Sequence, residues 1–107
     1  MTISDLKSLT AGEGFVLVDF YAQWCGPCKA MHPVLDRVQE QLSSLVDIIR
    51  IDVDRPENAA LAAHLRIHAV PTLILFREGR ILWRSSGVMS VQELVNELKR
   101  QERLEIY

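Results

Sequence analysis

The chain has two cysteines, Cys25 and Cys28, and they stand together in Trp24-Cys25-Gly26-Pro27-Cys28. Three residues is close to one helical turn, so the two side chains can face each other at a separation that suits a disulfide. Phe15 to Tyr21, just before them, is β-branched and aromatic and reads as a strand, and a helical pattern begins at about Cys25. Cys25 therefore falls beside unpaired backbone N–H groups and the positive end of a helix dipole. A thiolate is stabilised there, and the thiolate is the nucleophile of disulfide exchange. Gly26 leaves the approach to Cys25 open, and Pro27 suits a first helical turn and limits the freedom of the reduced form. The alternative is metal binding. A tetrahedral zinc site takes about four ligands, no second Cys-x-x-Cys exists, and Cys28 with His32 leaves only a three-ligand variant to consider.

Asp19 is the next residue with chemical potential. It interrupts a strand whose lack of polar–apolar alternation marks it as buried on both faces. Period two puts it on the face of Leu17 and Tyr21. Burial without a partner raises a carboxyl pKa toward neutrality, and the strand leads straight into the cysteine loop. Asp19 is expected beneath Cys28, where it can accept the proton of the second thiol. The plainer alternative is a carboxylate reaching a strand end or a lysine. Val70-Pro71-Thr72 places a proline at the start of a strand, which by itself reads as a turn. Trp24 is expected as a partly exposed aromatic that contacts partners. His32 and His64 are expected to be solvated, and His68 carries no assigned role.

These residues need elements to hold them. Cys28, Met31, Leu35, Val38, Leu42 and Leu45 recur at three- and four-residue steps, one apolar helical stripe with Pro33 inside it as a kink. Val46 to Val53 reads as a second strand. Asp54-Arg55-Pro56-Glu57 reads as a helix start capped by Asp54, with Leu61 and Leu65 facing inward. Thr72 to Phe76 is a third strand, turned by Glu78-Gly79 into a fourth around Ile81-Leu82-Trp83. Ser90-Val91-Gln92-Glu93 is a capping box opening a final helix, whose charges from Glu97 to Glu105 form a solvated face. Residues 2–11 allow a helical turn or two, with Met1 to Ile3 a stub of edge strand. Strand–helix–strand implies parallel pairing, and the hairpin adds an antiparallel strand, so the class is α/β with a mixed sheet.

Length and composition set the outer limits. The chain has 107 residues, 49% hydrophobic and 24% charged, which suits one globular domain and excludes disorder. Net charge is −2, which argues against a partner held by its phosphates. Two cysteines this close cannot staple a fold. The opening residues lack a secretory pattern and no apolar run approaches the ~20 residues of a membrane span. With residue 1 as the native start, the expected compartment is the cytoplasm.

Val18-Asp19-Phe20-Tyr21-Ala22-Gln23-Trp24-Cys25-Gly26-Pro27-Cys28-Lys29 resembles the active-site segment of the thioredoxin family. Pro33 is similar to its helix-kinking proline, Val70-Pro71-Thr72 to its cis-proline loop, Gly79 to its hairpin glycine and Gly87 to the glycine lining its groove. The resemblance runs from about residue 15 to 100. It implies a thioredoxin fold over residues 1–107: three layers, α/β/α, around a mixed sheet of four to five strands. It implies that Cys25 attacks a substrate disulfide, that Asp19 helps deprotonate Cys28, and that Cys28 resolves the mixed disulfide. Trp24, Gly26, Pro27, Val70, Pro71 and Gly87 would shape the substrate groove. No bound cofactor is implied; electrons would come from NADPH through thioredoxin reductase, and the partners would be that reductase and disulfide-containing clients. The alternative is a partner-docking module of the same fold whose redox activity is secondary. Three departures stand out. Arg50 replaces a common lysine near the buried acid, Tyr21 replaces a common tryptophan, and the shorter start implies a truncated or absent first strand. A monomer is expected, and the sheet edge that such a loss would uncover leaves a weak dimer as the alternative.

Overall fold

The computed structural model describes residues 1–106. The elements run α1 (Ile3–Thr10), β1 (Phe15–Tyr21), α2 (Gly26–Gln41), β2 (Val46–Asp52), a 3-10 turn (Pro56–Asn58), α3 (Ala59–His64), β3 (Thr72–Arg77), β4 (Arg80–Ser86) and α4 (Val91–Ile106). The strand order is β2-β1-β3-β4. β1 pairs with β2 in parallel and with β3 antiparallel. A strand so flanked has neighbours on both edges and layers on both faces. That position explains why β1 shows no alternation: Phe15 to Phe20 are all buried.

The two faces carry separate cores. Phe15 and Leu17 of β1 and Leu73 and Leu75 of β3 pack under α2 and α4. Val16, Val18 and Phe20, with Ile74 and Phe76, pack under Leu6 of α1 and Leu61 of α3. This is the three-layer α/β/α thioredoxin fold, with four strands. α2 runs through Pro33 and ends at Gln41, so Leu42 and Leu45 reach the core from the following turn.

Three local expectations are corrected. Met1 to Ile3 form no edge strand; Thr2 caps α1 instead, in a reciprocal box with Asp5. The signal was present as Thr-x-x-Asp, a variant of the usual capping box. Asp54 does not cap the helix at Pro56; Arg55 holds that position without a side-chain bond. His32 is not solvated, but half-buried.

β2 is the outer strand on its side of the sheet. The Gln39 amide from α2 closes part of that edge. Its Nε2 donates to the Val46 carbonyl at 2.8 Å, and its Oε1 accepts from Ile48 N–H at 3.1 Å. At the far side, Glu78 (φ 54) and Gly79 (φ 75) form the two-residue β3–β4 turn. Positive φ at both central residues matches strand twist and explains the glycine.

Leu75 is fully buried and stands opposite Leu17. Leu75→Ala should cost ~2–5 kcal/mol in urea unfolding, whereas Leu104→Ala, at an exposed position, should stay within ~0.5 kcal/mol of the parent.

Candidate active site

β1 delivers the chain to the front end of α2, and the redox pair occupies the join. Cys25 is the N-cap residue of α2, with extended backbone, and its Sγ accepts from Cys28 N–H at 3.2 Å. A sulfur thus takes the place where a serine or aspartate oxygen would satisfy an orphan donor. Negative charge on that sulfur is favoured by the same donor and by the helix dipole. Cys25 and Cys28 are joined as a disulfide, with Cα atoms 5.2 Å apart. The two sulfurs differ in access. Cys25 lies at the floor of a groove, whereas Cys28 has no exposed surface.

The groove has a volume of about 500 Å³. Trp24, Gly26 and Pro27 line it beside Cys25, together with Val53 and the Ile67–Val70 loop. Trp24 is 73% exposed and yet fixed, because its Nε1 donates to Asp54 Oδ2 at 2.5 Å. That bond accounts for the missing helix cap at Asp54. The Val70 carbonyl oxygen lies 3.6 Å from Cys25 Sγ, and the Val70–Pro71 peptide is cis.

The sequence placed Trp24, Gly26, Pro27 and Val70 in this groove, and they line it together. Pro71 and Gly87 stand behind it: Pro71 is buried, and its carbonyl accepts from Gly87 N–H at 2.9 Å. Gly87 has φ 98, a backbone conformation that favours glycine. Ile67, His68 and Ala69 were missed because loop residues carry no periodicity, and Val53 because it read as the end of the second strand, which stops at Asp52. Among the described residues, no group of three or more His, Cys, Asp or Glu side chains could hold a metal ion. No helix among them is long and apolar enough to cross a membrane.

Asp19 has no exposed surface, and neither carboxylate oxygen has a hydrogen-bond partner. It lies on the α2 face of β1, in register with Arg50 of β2. Burial pushes its pKa up to about 6, with the Arg50 guanidinium pulling the other way. Arg50 is itself engaged on α2. Its Nη2 donates to Asp36 Oδ1 at 2.7 Å and to the His32 carbonyl at 3.1 Å.

Asp19 makes stability depend on pH in a definite sense. Between its ordinary value of 3.8 and about 6, the folded chain holds a proton that the unfolded chain has lost. Stability therefore falls as pH rises through that window, and the whole penalty is present above it. Oxidised Asp19→Asn should be more stable than the parent at about pH 8 by roughly 3 kcal/mol. The difference should vanish near about pH 3. Urea titrations at the two pH values measure it.

Known proteins resemble this chain in sequence and fold. The thioredoxin family model matches residues 5–100. A thioredoxin-like protein of Synechocystis is 40% identical over 84 residues, covering 78% of each chain. The thioredoxin of Bacillus subtilis is 39% identical over 92 residues, which is 83% of this chain and 86% of that one. The chloroplastic thioredoxin Y2 of Arabidopsis thaliana is 40% identical across 78% of this chain, which spans only 49% of that relative. The crystal structure of Malassezia sympodialis thioredoxin superposes with a TM-score of 0.82 at 29% identity, covering 94% of this chain and 85% of that one. With the Cys-x-x-Cys pair at disulfide distance on a helix N-terminus, the chain belongs to the thioredoxin family of thiol–disulfide oxidoreductases.

Proposed function

We propose that this chain is a general protein disulfide reductase, with Cys25 as nucleophile and Cys28 as resolving thiol. The observation that carries the assignment is the asymmetry of the pair. Cys25 Sγ faces the groove and accepts a backbone N–H, whereas Cys28 is sealed behind it. Only Cys25 is placed to meet an incoming disulfide.

The Cys25 thiolate attacks one sulfur of a client disulfide, and the other client sulfur leaves as thiolate. Cys28 then loses its proton to Asp19 and attacks Cys25 Sγ. The Cys25–Cys28 bond forms, the Cys25–client bond breaks, and the client sulfur departs as a second thiolate. Two electrons have moved from the dithiol to the client. Desolvation suits Asp19 to the proton step, since a carboxylate that burial disfavours takes a proton readily.

The groove suits an extended client segment. Trp24, Val53 and Ile67 offer apolar contact, and the Val70 backbone offers strand-like pairing. Pro71 and Gly87 act behind that wall by fixing the Val70 loop. Redox turnover needs no bound cofactor in this scheme. Electrons come from NADPH through a thioredoxin reductase, and the other partners are disulfide-containing proteins. Residues 1–107 form one domain that works as a cytoplasmic monomer, without nucleic-acid or membrane partners. The Gln39 amide, by occupying part of the β2 edge, disfavours the weak dimer.

NADPH oxidation with a thioredoxin reductase and insulin tests this reading directly. The parent should turn over, and Cys25→Ser should fall to background. Cys28→Ser should accumulate client mixed disulfides that reductant releases. Undiminished insulin reduction by Cys25→Ser overturns the assignment.

A further inference from the structure

We infer that Arg84 is a positioning residue for the client groove: its guanidinium latches the loop from Arg66 to Val70 in the shape that a client disulfide meets. This rests on the proposed reading of the groove as the seat of an extended client segment. The loop joins α3 to β3, and it starts in a tight turn at the end of α3. Ile67 N–H donates to the Ala62 carbonyl at 2.9 Å, and Arg66 N–H donates to the Ala63 carbonyl at 3.1 Å. This is a Schellman motif with Arg66 as its left-handed residue, at φ 53. That region is unfavourable for a residue with a Cβ, and glycine is its usual occupant.

The outer strand β4 holds this turn. Arg84 stands opposite Ile74 in the β3–β4 register, and Ile74 faces the α3 side of the sheet. From there Arg84 Nη1 donates to the Leu65 carbonyl, and Nη2 donates to the Arg66 carbonyl at 2.7 Å. Two successive carbonyls suit the planar fork of a guanidinium, and its charge strengthens both bonds. Ser86, on the same face of β4, supports the loop further along. Its Oγ lies 2.8 Å from Thr72 Oγ1, which donates to the Ala69 carbonyl at 2.6 Å. Gly87 N–H takes the Pro71 carbonyl at 2.9 Å. The carbonyls of Leu65, Arg66, Ala69 and Pro71 are thus all held by β3 and β4. The Val70 carbonyl is left 3.6 Å from Cys25 Sγ.

Arg84 does not line the groove itself. It touches neither sulfur nor client in this scheme, and its effect passes through Arg66. Without the fork, the strained turn loses the bonds that offset its cost, and the Arg66 backbone relaxes out of the left-handed region. The two Schellman bonds then open, and Ile67 to Val70 lose their place beside Cys25. Packing alone gives no reason for an arginine here, since the side chain is exposed. Its two bonds to consecutive carbonyls give one.

The test has a structural and a kinetic arm, both on the full chain. Amide hydrogen exchange compares the parent with Arg84→Met. The Arg66 and Ile67 amides should exchange about fivefold faster in the variant, while those of β1 stay unchanged. A general loss of stability would speed both sets. In insulin reduction with NADPH and a thioredoxin reductase, Arg84→Met should raise KM about fivefold at unchanged kcat. A small aromatic disulfide needs only access to Cys25 and should be reduced at the parent rate. Arg84→Lys keeps the charge but not the fork, so its KM should stay close to that of Arg84→Met. Arg66→Gly added to Arg84→Met makes the left-handed turn easy again and should return KM toward the parent. Unchanged exchange at Arg66 and Ile67 overturns the latch, and a parent-like KM in Arg84→Lys overturns it in favour of simple charge. Faster exchange with an unchanged KM in Arg84→Met overturns the role in client binding. If the parent itself reduces no insulin, the proposed function fails instead, and exchange alone decides the latch.

Discussion

A single contact organises this molecule: the N–H of Cys28 pointing at the sulfur of Cys25. Helix α2 must begin somewhere, and its first turn leaves backbone donors without partners. In most helices an oxygen answers them. Here the capping atom is the reacting atom, so the start of the helix and the activation of the nucleophile are one event. The rest of the fold serves to hold that start in place. β1 leads into it from the centre of the sheet, and the stripe of Met31, Leu35 and Val38 anchors the helix to the core beneath.

The second constraint is a buried charge. Asp19 sits on the central strand with both oxygens unsatisfied, which ordinary packing would remove. Its retention costs stability above about pH 6, and the surroundings limit the cost without abolishing it. Arg50 stands beside it on β2 but directs hydrogen bonds elsewhere, to Asp36 and the His32 carbonyl. The guanidinium therefore tempers the acid electrostatically and leaves it free to bind a proton. A direct ion pair would have held Asp19 ionised and unable to take one.

Most of this was legible in the residues. The unalternating run from Phe15 to Tyr21 implied a central strand, and it is one. The cysteine spacing and Asp19 implied the redox site, because thiol chemistry and burial leave strong local marks. Tertiary contacts left weaker ones. Asp54 looked like a helix cap because nothing in sequence shows Trp24 thirty residues away taking its carboxylate. His32 looked solvated because helical periodicity does not show that Tyr21 and Arg50 close over that side of α2. The groove wall from Ile67 to Ala69 belongs to an irregular loop, where composition carries no direction. The first helix was legible as a helical turn or two from Leu6 and Leu9, and only its start was misread, although Thr2 and Asp5 spelled its cap outright.

The Gln39 clamp has a consequence for how such a protein fails. The helix that carries the redox pair at its front also shields part of the open sheet edge from its fourth turn, through Gln39. Local melting of α2 would release both at once, leaving an exposed thiol pair beside an unpaired strand. Damage in this chain would therefore be cooperative in kind: covalent cross-linking and strand-to-strand association would share one precursor. Protecting the helix protects against both, which ties longevity under oxidative stress to the packing of a single element.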